Sequence, residues 1–156
     1  MNVFVTGGAG YIGSVCVEEL LNAGHEVTVF DNLSEGHRGA LDPRARFVQG
    51  ELADPAAITD ALRASGAEAV LHFAANALVG ESMVNPGKYF RNNVASGLNL
   101  LDAAVACRVQ KFVFSSTCAT YGPPDRVPMD ETLPQRPINP YGESKLKIGR
   151  ASCRER

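Results

Sequence analysis

The 156-residue sequence predicts an α/β fold, a doubly wound parallel sheet with helices on both faces. Three observations carry this. Short apolar stretches of strand length alternate with helical patterns along nearly the whole chain. Runs such as Val3–Val5 are continuously apolar, as strands buried on both faces are. Glycine, proline and capping residues fall between the segments, where turns are needed.

The first strand, Val3–Val5, breaks at Thr6-Gly7, and Gly7, Gly10 and Gly13 follow at G-x-x-G-x-x-G spacing. An amphipathic helix from Tyr11 to about Asn22 comes next. Strand, glycine turn and helix form the arrangement that binds a dinucleotide pyrophosphate. One glycine allows the tight turn, one removes a Cβ from the path of the phosphates, and one lets helix and strand pack closely. The helix N-terminus then offers unpaired N–H groups to the anion. Ala23-Gly24 stops the helix. Glu26–Phe30 is the second strand, and Asp31 at its end lies eighteen residues after Gly13. An acid there accepts hydrogen bonds from the adenosine ribose and repels a 2′-phosphate, which favours NAD over NADP.

Residues 32–42 are polar and glycine-containing, a loop with a short helix. Arg46–Gln49 is a third strand. Asp54-Pro55 is an N-cap followed by proline at N1, opening a helix over Ala56–Ala64 that stops at Ser65-Gly66. Ala69–Ala75 is the fourth strand, with small residues at an end that lies close to a ligand. His72, alone in an apolar strand, reads as a packed core residue. Pro86 opens a long helix through about Cys107, with apolar residues from Tyr89 to Val105 at helical spacing. Asn92-Asn93 sits inside it, where asparagine is mildly unfavourable, and suggests a buried polar task. Lys111–Ser115 is the fifth strand, followed by Ser116-Thr117-Cys118-Ala119-Thr120-Tyr121-Gly122. Residues 123–140 hold six of the nine prolines and form an ordered loop. Tyr141-Gly-Glu-Ser-Lys145 enters a helix that is expected to end near Lys147, with Gly149 interrupting it. The glycine loop, Asp31, residues 73–75 and residues 115–117 are all expected at strand carboxyl ends, in one crevice.

Tyr141 and Lys145 are spaced i, i+4 and share a helix face. A free tyrosine, with a pKa of about 10, is a poor base at neutral pH, and an ammonium a few Å away favours the phenolate. Thr117 offers a hydroxyl that can orient a substrate hydroxyl and pass on its proton. With a nicotinamide cofactor, these three residues suit hydride transfer at a secondary alcohol.

Other classes are disfavoured. Hydrophobic residues make up 45% and charged residues 21% of the chain, as in soluble globular proteins. A net charge of −2 without a basic cluster argues against a nucleic-acid partner. No apolar run is long enough to span a membrane, and no signal peptide is recognisable, so the expected location is cytoplasmic. Cys16, Cys107, Cys118 and Cys153 form no C-x-x-C, and reduced thiols rather than a metal site are expected.

These residues resemble the extended short-chain dehydrogenase/reductase superfamily, whose cofactor domain is of the Rossmann type. Within it, the chain is similar to the N-terminal part of the nucleotide-sugar 4-epimerases that act on UDP-glucose. The matching stretches are 6–13, 31–33, 72–75, 79–82, 92–94, 114–122 and 139–145, and the resemblance covers residues 1 to about 147. It implies an NAD-binding domain over 1–147, truncated before a C-terminal substrate domain. Residues 148–156 do not resemble the family and are expected to be a foreign tail.

The resemblance also implies site roles. Gly7, Gly10, Tyr11, Ile12 and Gly13 would hold the cofactor, with Asp31 and Asn32 on the adenosine ribose and Glu51 and Leu52 near adenine. Phe73, Ala74 and Ala75 would line the cofactor, Asn93 would lie on its nicotinamide side, and Ser115 would support it. Tyr141 would be base and acid, helped by Lys145 and Thr117, and Tyr141 and Lys145 would also touch the cofactor. The implied reaction takes hydride from C4 of a UDP-hexose to NAD and returns it to the other face of a 4-keto sugar.

Glu51 stands where the family more often has Asp, and Ala77 where some members have a cofactor-contacting lysine. Cys118 and Ala119 replace the acidic pair of the 4,6-dehydratases, which argues against dehydration. An epimerase for a UDP-pentose or UDP-N-acetylhexosamine, and a non-catalytic NAD-binding module, stay open as alternatives. The resemblance implies a homodimeric parent, built through the helix near Asn92 and the Tyr141 helix. The second is cut short here, so dimerisation and turnover are not expected of this chain alone.

Overall fold

The computed structural model describes residues 1–154 of the chain, and Glu155 and Arg156, the end of the expected foreign tail, lie outside the described residues. The chain divides into two compact units. The first comprises residues 1–74 and 99–115, and the second residues 75–98 and the chain from Ser116 onward.

The first unit is a five-stranded parallel sheet in the order β3-β2-β1-β4-β5. Its strands are β1 (Asn2–Thr6), β2 (Glu26–Asp31), β3 (Arg46–Gln49), β4 (Ala69–His72) and β5 (Lys111–Phe114). Alternate residues of the central strands feed two cores, as the two-residue period of a strand requires. Phe4, Phe30 and Val70 pack with Ile58 and Leu62 of helix α2 (Pro55–Ser65) and with Leu100 and Ala103 of helix α5 (Ser96–Ala106). Val3, Val5, Val27 and Val29 pack with Val17 of helix α1 (Tyr11–Asn22). Burying each of the valine, leucine, isoleucine and phenylalanine side chains among them contributes about 1.5–3 kcal/mol. The strand order reverses between β1 and β4, where a ligand crevice opens in folds of this kind.

Helix boundaries follow local chemistry. Asp54 caps α2 by accepting from Ala56 N and Ala57 N at 3.0 and 3.1 Å, with Pro55 as its first residue, and Gly66 ends it at φ 59°. Helix α1 closes with His25 N donating to Leu20 O and Gly24 N to Leu21 O, the six-to-one and five-to-two pair of a Schellman end. Helix α5 closes the same way, with Val109 N to Ala104 O and Arg108 N to Val105 O. There the left-handed position, φ 56°, is filled by Arg108 rather than glycine.

The second unit holds helices α3 (Val79–Val84) and α4 (Pro86–Tyr89), a π-helical stretch over Phe90–Ala95, the beginning of α5, a 3₁₀ turn (Cys118–Thr120), the proline-rich loop and helix α6 (Pro140–Arg154). Asn139 caps α6, its side chain accepting from Gly142 N at 2.8 Å with Pro140 in first position.

Several expected boundaries need correction. Strand β4 ends at His72 rather than Ala75, because Phe73 N and Ala74 N both donate to Thr6 O and the chain leaves the ladder there. Strand β5 stops at Phe114 rather than Ser115. The long helix after Pro86 is widened over Phe90–Ala95, where Ser96 Oγ reaches Arg91 O five residues back. Helix α6 does not stop near Lys147 but continues to Arg154. Gly149 costs about 1 kcal/mol in a helix, less than burial of Ile148 just before it contributes. Among the described residues no helix is long and apolar enough to cross a membrane, and the four cysteines are free thiols.

Candidate active site

In the first unit the sequence-marked residues gather at the carboxyl ends of the strands. Gly7 has φ +73°, and its N–H donates to Phe30 O. A Cβ on Gly7 would stand 2.5 Å from Ala74 N and 2.8 Å from Phe73 C, so glycine is what lets β1 turn against the segment after β4. A Cβ on Gly13 would collide with Gly7 O. Gly10 differs, since a Cβ there would meet only Gly7 O at 3.4 Å, an ordinary contact. The protein itself therefore demands glycine at 7 and 13 but not at 10.

Gly10 is the N-cap of α1, with no side-chain cap and no acid in the first turn. The first N–H groups of that helix have no partner within it. Tyr11 and Ile12 stand 88% and 63% exposed beside them.

Asp31 is buried at the end of β2. Its Oδ2 accepts from Ala9 N at 3.0 Å and its Oδ1 from Leu33 N at 2.8 Å, which fixes Leu33 at φ 62°. The carboxylate thus ties down the glycine loop, and with about four acceptor positions it retains capacity for a further donor. The loop is held from its other side by residues unmarked in the sequence: His37 N donates to Ala9 O, and Gly36 lies so close to Ala9 that a Cβ would stand 2.6 Å from Ala9 C. Asn32 Nδ2 donates to Glu51 Oε2 at 3.0 Å. Leu52 turns its side chain into the core, and its carbonyl accepts from Asn99 Nδ2. His72 is buried against Phe112 and Phe114 with its Nδ1 2.6 Å from Thr6 Oγ1, a core histidine as its setting suggested. Ser115 N donates to His72 O.

The second unit holds Ala75, Asn93, Thr117, Tyr141 and Lys145. Thr117 precedes the 3₁₀ turn, its Oγ1 accepting from Ala119 N at 3.2 Å. The first turn of α6 lies directly on that 3₁₀ turn, and a Cβ on Gly142 would collide with Ala119 O. This close approach brings the chain segments of Thr117 and Tyr141 together, with Lys145 one helical turn after Tyr141. Lys145 is only 4% exposed, and burial pulls its pKa down to about 8. At pH 7 it is still mainly an ammonium.

Asn93, 1% exposed, makes four hydrogen bonds. Its Oδ1 accepts from Asn76 N and Asn92 Nδ2, and its Nδ2 donates to Asn76 O and Ser144 Oγ, all at 2.9–3.0 Å. Ser144 Oγ in turn donates to Tyr141 O at 2.7 Å. Tyr89 and Tyr141 pack in a T-shaped contact, with ring centroids 6.3 Å apart at 78°. In the sequence Tyr89 reads as one more apolar helix position, and nothing in its spacing distinguishes it.

A sequence profile of the NAD dependent epimerase/dehydratase family matches residues 3–152. The chain belongs to this family. The match runs five residues past the point where the resemblance was expected to end. Family relatives at about half identity include the UDP-glucose 4-epimerase of Lacticaseibacillus casei, 52% identical over 95% of this chain and 45% of that protein. The crystal structure of the Brucella ovis UDP-glucose 4-epimerase in complex with NAD superposes with a TM-score of 0.94 at 47% identity, covering 96% of this chain and 46% of that one. The UDP-Glc/GlcNAc 4-epimerase of Campylobacter jejuni superposes at 0.95 with 39% identity, covering 98% and 48%. The chain spans about half the length of the curated relatives it matches.

Proposed function

We propose that this chain carries the NAD-binding half, and the proton-transfer residues, of an enzyme that inverts C4 of a UDP-hexose such as UDP-glucose or UDP-galactose. The observation that carries the reading is the seating of Gly142 on Ala119, which draws the Thr117 and Tyr141 segments together with Lys145 one turn on. The fit to a dinucleotide rests on Gly10, a glycine that nothing in the protein requires, at an uncapped helix N-terminus without an acid. An anion is stabilised at such an end by the helix dipole and free N–H groups.

Gly7, Gly10, Tyr11, Ile12 and Gly13 would hold the pyrophosphate, Asp31 and Asn32 the ribose, Glu51 and Leu52 the adenine end, and Phe73, Ala74, Ala75, Asn93 and Ser115 the remainder. NAD supplies the acceptor and donor of the C4 hydride, so that a 4-keto sugar stands between the two epimers. Tyr141 removes the proton of the C4 hydroxyl and returns it after the keto sugar has turned. Thr117 orients that hydroxyl, and the Lys145 ammonium favours the phenolate. Asp31 disfavours a 2′-phosphate.

The test uses the full-length protein that contains this chain. It is expected to interconvert UDP-galactose and UDP-glucose, and Tyr141→Phe is expected to abolish turnover while NAD fluorescence titration still reports binding. Turnover by Tyr141→Phe at the parent rate sinks the reading. The isolated chain is expected to bind NAD without turnover. A substrate with an N-acetyl group is the second reading, favoured by the likeness to the Campylobacter jejuni enzyme. Comparison of kcat/KM for UDP-glucose and UDP-N-acetylglucosamine separates the two.

A further inference from the structure

Helices α3 and α4 have six and four residues, too short to hold their shape alone. A compact polar knot joins them. Glu81 of α3 places Oε1 2.6 Å from Lys88 Nζ of α4, and Oε2 2.8 Å from the Tyr89 hydroxyl. The same hydroxyl lies 2.6 Å from Leu78 O and accepts from Leu78 N at 3.1 Å. A phenol has one proton, so Leu78 O and Glu81 Oε2 share it. Lys88 first, and Tyr89 second, hold the Glu81 carboxyl below the usual carboxylate range, which keeps it an acceptor. Tyr89 is fully buried, and its ring meets that of Tyr141 nearly at right angles, with centroids 6.3 Å apart.

We propose that Glu81 is a positioning residue for Tyr141, acting through the Tyr89 ring; this rests on Tyr141 being the proton-transfer group. The knot fixes the Tyr89 hydroxyl at three points, and a ring fixed at its hydroxyl cannot slide along its long axis. Aromatic rings prefer edge-to-face contact, so a fixed Tyr89 ring sets the plane and depth of the Tyr141 ring against it. Proton transfer needs heavy atoms within hydrogen-bond reach, and small misplacements of a reacting group are costly in rate. The Asn93–Ser144 contact fixes the Tyr141 backbone, whereas the Glu81–Tyr89 contact fixes its ring.

Two measurements test this. In the NAD-loaded full-length protein with UDP-galactose, Glu81→Ala is expected to lower kcat about tenfold with KM within about twofold. Glu81→Gln, whose amide oxygen still accepts from the phenol, is expected to recover most of that loss. Tyr89→Phe keeps the ring and loses the hydroxyl, so it is expected to resemble Glu81→Ala even if the latter folds poorly. In the isolated chain, the ring-proton NMR signals of Tyr141, assigned by their loss in Tyr141→Phe, are expected to shift in Glu81→Ala and Tyr89→Phe. They are expected to stay in place in Arg63→Ala, which removes a surface ion pair of the first unit. Unchanged kcat together with unmoved Tyr141 signals overturns the proposal, as does a loss of thermal stability alone. If the wild type does not turn over UDP-galactose but the signals shift, the positioning role survives and the functional reading fails.

Discussion

Asn93 Nδ2 and Ser144 Oγ meet at 3.0 Å, both buried, and the same hydroxyl donates to the carbonyl of Tyr141. One serine thus fastens the first turn of α6 to the widened turn of the preceding helix. Ser144→Ala leaves a buried amide N–H without its acceptor, which costs about 1–3 kcal/mol. Urea denaturation is expected to show that loss with an unchanged m-value. An unaltered midpoint contradicts the role given to the pair.

Gly10 and Gly13 separate what the fold needs from what a ligand needs. Gly10→Ser introduces a preferred N-cap residue where a Cβ meets no obstacle, so stability is expected within about 0.5 kcal/mol of wild type. NAD affinity, read by fluorescence titration, is expected to fall at least about tenfold, or about 1.4 kcal/mol. Gly13→Ala forces a Cβ onto Gly7 O and is expected to cost about 1–3 kcal/mol of stability even without cofactor.

Lys145 makes stability depend on alkaline pH. Its folded pKa of about 8 lies below the unfolded value near 10.5. Between those values the unfolded chain binds more protons, so stability rises as pH goes from about 8 to about 10.5. Lys145→Met removes the buried charge and is expected to be the more stable protein at pH 7. Its advantage is expected to shrink across that window in parallel unfolding curves. A constant advantage means that desolvation of Lys145 is not the cause.

Arg108 occupies a left-handed position where glycine costs nothing. Arg108→Gly is expected to stabilise the chain by about 1 kcal/mol, read as a higher melting temperature. A lower one means that the arginine side chain contributes more than its backbone strain costs.

The sheet was legible because its strands are short apolar runs ended by glycine or polar residues, and α2 because Asp54-Pro55 and Gly66 state both its ends. The sequence predicts β4 three residues longer than it is because Phe73-Ala74-Ala75 is as apolar as a strand. Only the double use of Thr6 O, a tertiary fact, ends it. The π turn leaves the apolar spacing of its helix nearly intact, and Asn92-Asn93 was its one visible trace. Helix α3 has six residues, too few for a periodic signal. The sequence predicts an end of α6 near Lys147 because the resemblance stops there and Gly149 interrupts the pattern, whereas the burial of Ile148 is invisible in a linear sequence. Asp31 was legible as an acid at a strand end, but its grip on Ala9 N depended on a loop geometry that spacing alone does not encode.

The glycine turn is shaped by residues far along the chain. Gly7 needs Phe30 O as acceptor, Ala9 needs the Asp31 carboxylate, and Thr6 O is capped by Phe73 N and Ala74 N. The first strand, turn and helix cannot form this surface until β4 has paired with β1, a contact spanning more than sixty residues. Such long-range pairings are late and slow events in folding. During synthesis the turn therefore exists as sequence well before it exists as a surface, which is complete only after residue 74 has left the ribosome.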